Sequence, residues 1–69
     1  MKNFKKNYVQ ARDLQVDDHI KVAGILYRIN QCWLVHDEVI IQFYNVRRPL
    51  FTGALTLNKK TLMKIWNQK

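Results

Sequence analysis

The chain reads as all-β, a small five-stranded antiparallel barrel, and three features of the sequence predict this. Residues 19–29 place β-branched and aromatic residues on both sides of Ala23-Gly24, and the glycine supplies the positive φ that a tight hairpin turn requires. Further apolar runs at 39–46 and 50–57 are bounded by charged or proline-containing turns. With 69 residues there is room for one core only, which all the strands must share.

In chain order, residues 1–8 form a basic, lysine-rich arm with Phe4 and Tyr8 as its anchors, and residues 9–69 form the barrel domain. The segment 9–16 is a lead-in whose Ala11-Arg12-Asp13-Leu14 turn packs Leu14 inward. Asp17-Asp18 ends it, since aspartate is depleted from strands and favoured in turns.

The first two strands are expected at 19–22 and 25–35, the second long enough to bend between two sheets. Alternation puts Ile25, Tyr27, Ile29, Gln31 and Trp33 on one face and Arg28 and Asn30 on the solvent face. A bulge near Gln31-Cys32 would turn Cys32 or Leu34 inward instead.

His36-Asp37-Glu38 is a charged turn, after which Val39, Ile41 and Phe43 face the core while Ile40 and Tyr44 are either covered or left as a contact surface. Pro49 closes that strand. Residues 50–57 form the next strand, with Gly53 as a kink or bulge. Residues 61–66 are the closing strand that covers an open edge, with a helix over 58–68 as the alternative.

Aromatic residues make up 12% of the chain, enough to supply large buried areas to a thin core. One cysteine, Cys32, permits no intrachain disulfide, so a reducing compartment is expected and a cytoplasmic location follows. The apolar runs are too short for a membrane helix, and no membrane association is expected.

The formal charge of +7 is unevenly placed. All five acids lie within residues 13–38, whereas residues 39–69 carry Arg47, Arg48, Lys59, Lys60, Lys64 and Lys69 without an acid. Such a field attracts polyanions, nucleic acid first. An acidic protein partner and plain solubility are the competing explanations.

The run Ala11-Arg12-Asp13-Leu14-Gln15-Val16-Asp17-Asp18-His19-Ile20-Lys21-Val22-Ala23-Gly24-Ile25-Leu26-Tyr27-Arg28-Ile29 resembles the opening of the SH3-like (KOW-like) first domain of elongation factor P and its relatives. The likeness continues loosely through residues 39–46, Thr56 and the last aliphatic segment. The resemblance implies an SH3-like barrel and a habit of binding RNA, DNA or proteins through loops and an exposed sheet face. That family carries a glycine-rich loop with a modified lysine, and here the same place holds Leu34-Val35-His36-Asp37-Glu38. Its peptidyl-transferase-stimulating activity is therefore not carried over.

Cys32, His19 and His36 lack metal-ligand spacing, so no metal or other cofactor is expected. The adjacent acids Asp17-Asp18 and Asp37-Glu38 point apart as turn residues rather than cooperating as acid and base. Enzymatic chemistry is not expected.

The expected binding set is Arg28, Tyr44, Arg47, Arg48, Lys59, Lys60 and Lys64, where cations hold phosphates and a ring stacks a base. Tyr44 beneath the arm and Arg47-Arg48 as a solvated turn are the structural alternatives. The expected function is an accessory or regulatory factor that binds RNA or single-stranded DNA. The alternative is a protein-interaction module or inhibitor on an acidic surface of a larger host enzyme, encoded by a phage or another compact genome. Oligomeric state stays open, with Ile40 and exposed strand edges as the features that favour self-assembly.

Overall fold

A computed structural model describes residues 8–66. Among them are six strands, β1 (Tyr8–Gln10), β2 (His19–Val22), β3 (Ile25–Val35), β4 (Glu38–Asn45), β5 (Thr52–Asn58) and β6 (Leu62–Lys64), with a 3₁₀ turn at Ala11–Asp13. The strands form a four-stranded antiparallel sheet in the order β2-β3-β4-β5 and a two-stranded β1-β6 sheet, which curl into a barrel-like fold. Among these residues no helix is long and apolar enough to cross a membrane.

The β2-β3 hairpin pairs Val22 with Ile25 and His19 with Arg28, as the sequence pattern requires. Its two-residue turn uses left-handed backbone at both positions, φ 54° at Ala23 and 79° at Gly24. That matches the right-handed twist of the flanking strands, at a cost of roughly 1–2 kcal/mol for the alanine.

Strand β3 changes phase part-way along. Ile29 pairs with Phe43 and Gln31 with Gln42, so Asn30 is the extra residue of a bulge. Before it Ile29 faces inward; after it Cys32 does, opposite Ile41. Gln31 and Trp33 therefore belong to the outer face, which corrects the single-face assignment with Tyr27 and Ile29. Leu34 turns to the inner side opposite Val39 but stays 58% exposed, because the end of the hairpin overhangs the core.

The core consists of Ala11, Leu14, Ile20, Ile29, Val39, Ile41 and Phe43. Ile20, Ile29 and Ile41 are fully buried, each contributing about 1.5–3 kcal/mol. The expectation that aromatics fill the core holds only in part. Phe43 is buried and packs against Tyr27 with ring centroids 4.8 Å apart, whereas Tyr8, Trp33 and Phe51 are exposed. The 3₁₀ turn seats Ala11 and Leu14 in the core, as its sequence suggests.

Gly53 makes no bulge: the β4-β5 register runs unbroken from Tyr44↔Thr52 to Glu38↔Asn58. The Phe43 ring occupies the space above it, and an added Cβ would stand 2.8 Å from Phe43 Cε1. On the outer face Ile40 is half-buried between its cross-strand partners Trp33 and Thr56.

The closing segment is a strand, shorter than expected, and its partner is β1. Tyr8 is thus the first residue of a strand rather than part of an arm; the remainder of the expected arm, including Phe4, lies outside the described residues. Backbone bonds from Ala11 N–H to Thr61 O (2.8 Å) and Arg12 N–H to Lys59 O (3.1 Å) dock the 3₁₀ turn on the β5-β6 turn. Past β6, Trp66 N–H donates to His19 O at 2.7 Å and joins the C-terminal segment to β2.

Candidate functional site

The joint between Trp66 and β2 gathers cations onto aromatic surface. Lys21 Nζ, from the middle of β2, lies 4.0 Å from the Trp66 ring centroid, and Lys64 Nζ lies 4.2 Å from the same centroid. Lys64 also sits 5.8 Å from the ring of Tyr8, its cross-strand partner. Cations held over ring faces stay available to anions, because a ring is not a counterion.

Lys21 also lines an open groove of about 580 Å³ together with Gly24, Ile25, Leu26, Asn45, Val46, Arg47 and Arg48. The groove exists because the β2-β3 turn and the loop after β4 lie at the same end of the sheet, tied by Val46 N–H donating to Leu26 O at 3.5 Å. Asn45 Oδ1 accepts from the N–H groups of Arg47 (2.8 Å) and Arg48 (3.1 Å), which fixes the loop as an Asx turn. The Arg48 guanidinium stands 5.9 Å from the Phe51 ring. One end of the barrel thus carries Lys21, Lys64, Arg47 and Arg48 beside Tyr8, Trp66 and Phe51.

The other expected residues lie elsewhere. Arg28 and Tyr44 are cross-strand neighbours on the outer face. Arg28 Nε and Nη2 both reach Asp17 Oδ1, at 3.0 and 2.8 Å. The hydrogen bond to Asp17, and then its charge, raise the guanidinium pKa above its ordinary value, so this charge is permanent but already matched. Lys59 pairs with Asp37 at 3.1 Å across the β3-β4 and β5-β6 turns. Lys59 and Lys60 follow β5 and Arg48 precedes it, so the two groups are separated by the length of a seven-residue strand, about 20 Å.

Sequence reasoning misses Lys21 and Trp66. Lys21 falls in the acid-bearing stretch of the chain, and Trp66 reads as part of an apolar closing stripe. Lys64-x-Trp66, a cation and an aromatic two residues apart, is the signal that would have pointed to Trp66, whereas nothing local to Lys21 points to it.

Cys32 is half-buried and its Sγ–H points to Leu14 O at 3.5 Å, the position of a small core filler. Among the described residues no three His, Cys, Asp or Glu side chains converge as a metal site.

No protein-family model, curated protein or solved structure matches this chain.

Proposed function

We propose that this chain is a non-enzymatic nucleic-acid-binding factor for RNA or single-stranded DNA, using an SH3-like barrel as scaffold. The observation that carries this reading is the cluster of Lys21, Trp66 and Lys64 beside the groove lined by Arg47 and Arg48. Single strands suit it better than duplex, because unstacked bases can lie on the exposed rings of Tyr8 and Phe51 while the ammonium and guanidinium groups take the phosphates.

The test is fluorescence anisotropy of a labelled uridine or thymidine oligomer titrated with the full chain over a range of salt concentrations. Four phosphate contacts predict a slope of about −3 in log K against log salt. Flat salt dependence, or no binding at low salt, overturns the reading.

A second reading is supported by a separate observation. Leu50 is 93% exposed and Phe51 59% exposed, directly after Arg47-Arg48-Pro49. An apolar tip flanked by cations fits an acidic protein surface with a hydrophobic pocket. Stoichiometric recovery of one protein partner after nuclease treatment would favour it over the nucleic acid.

A further inference from the structure

The edges of the four-stranded sheet are treated unequally. β2, at one edge, is four residues long, carries Lys21, and is capped at His19 by the Trp66 N–H. Where β3 outruns β2, its edge is paired at Ile29, whose O accepts from Asp17 N–H at 2.8 Å and whose N–H donates to Asp18 O at 2.9 Å, and is then bent by the bulge at Asn30. These are the usual means of preventing edge-to-edge pairing. β5, at the opposite edge, is capped only at its last residue, Asn58, by Thr61 N–H: Thr-Gly-Ala-Leu-Thr-Leu-Asn is seven residues with no charge, no proline and no bulge.

The hydrogen-bond phase of β5 follows from its ends. Asn45 N–H donates to Phe51 O and Lys59 N–H donates to Asp37 O, both in the β4-β5 register. Residues 53, 55 and 57 therefore direct their backbone groups toward β4, while Thr52, Ala54 and Thr56 direct theirs to an edge that no other described strand pairs, and the Asn58 carbonyl at its end accepts from Thr61 N–H at 3.0 Å. Leu55 and Leu57 remain half-buried on the inner face, so the core is incompletely covered along this edge.

We infer that β5 pairs antiparallel with β5 of a second copy of this chain about a two-fold axis beside Leu55. In that register Ala54 lies opposite Thr56 of the second copy and exchanges both backbone bonds with it, while Thr52 O lies opposite the Asn58 N–H, the Asn58 carbonyl being held by Thr61 N–H. On the inner face Leu55 meets Leu55, and Leu57 stands beside Gly53, where it extends the apolar surface of the Phe43 ring. Away from the axis Leu57 meets Gly53 and Thr56 meets Ala54, larger against smaller, and no charge meets a like charge within the strand. A self-complementary strand satisfies an isologous interface with no other partner required. Because each copy carries +7, association strengthens as salt rises, opposite to the trend for nucleic acid.

The test is sedimentation equilibrium of the full chain over a concentration series at two salt concentrations. The expected result is a monomer–dimer equilibrium that shifts to dimer at higher salt. The variant A54K/T56K sets lysines directly opposite each other and should weaken the dimer at least ~10-fold with an unchanged far-UV spectrum. Q31K, two strands in from β5 on the same outer face, should leave it intact.

If A54K/T56K does not fold, oxidation of C32S/L55C decides. Residues facing each other at the axis lie within disulfide reach, so a covalent dimer should form, and it should not form with C32S/L57C. A monomer at every concentration, a dimer indifferent to A54K/T56K but broken by Q31K, or equal cross-linking at 55 and 57 would overturn the inference.

Discussion

Phe43 and Gly53 face each other across β4 and β5, and the ring reaches to 2.8 Å from the point where a Cβ would stand. Glycine is needed here for the room it leaves rather than for its backbone freedom. Gly53→Ala forces the ring off its position against Tyr27, and the expected loss is about 1–3 kcal/mol of unfolding free energy in urea denaturation. A substitution that leaves the midpoint unchanged would show that the ring has room to yield. The sequence marks position 53 as special but not why, because the reason lies on the neighbouring strand. Arg28 illustrates the same limit: its place on the solvent face is readable from alternation, but the carboxylate that matches its charge comes from the bend at Asp17, where the chain takes φ 80°.

Among the elements, the β2-β3 turn and the inward residues of β4 were legible, since turn chemistry and alternating burial are local signals. β1 was not, because three residues reading Tyr-Val-Gln carry too little pattern to announce a strand; β6 supplies its ladder from more than fifty positions away. The bulge was foreseen close to its true position, and its effect is measurable. Deleting Asn30 removes the extra residue and the bend while Gln31 and Trp33 stay outward and Cys32 inward. That deletion should keep a cooperative thermal transition, as followed by near-UV circular dichroism, whereas deleting Asn30 and Gln31 together, which turns Cys32 outward and Trp33 inward, should abolish it. A cooperative transition in the double-deletion variant would mean that the strand slips its register without loss.

At the scale of the whole molecule, charge is sorted by tertiary contact and not by position along the chain. The acids at Asp17 and Asp37 match Arg28 and Lys59, while Lys21 and Lys64 come to share one indole ring. Binding should therefore depend on which end of the barrel is altered. The pair K21A/R47A should weaken oligonucleotide affinity and flatten the salt slope by about 0.7 for each lost phosphate contact. The pair K59A/K60A removes the same formal charge and should do neither. Equal losses from both pairs, measured by anisotropy across salt, would show that net charge alone governs binding.

The class of fold, the hairpin, the inward residues of β4 and a basic surplus in the C-terminal half can be read along the chain, because propensity, alternation and composition act over a few neighbouring residues. The pairing of β1 with β6, the closure of Trp66 onto His19 and the meeting of Lys21 with Lys64 on one ring come only from the assembled fold. Those facts depend on which strands come to lie side by side, and curling a sheet joins residues whose separation along the chain carries no local trace of their meeting.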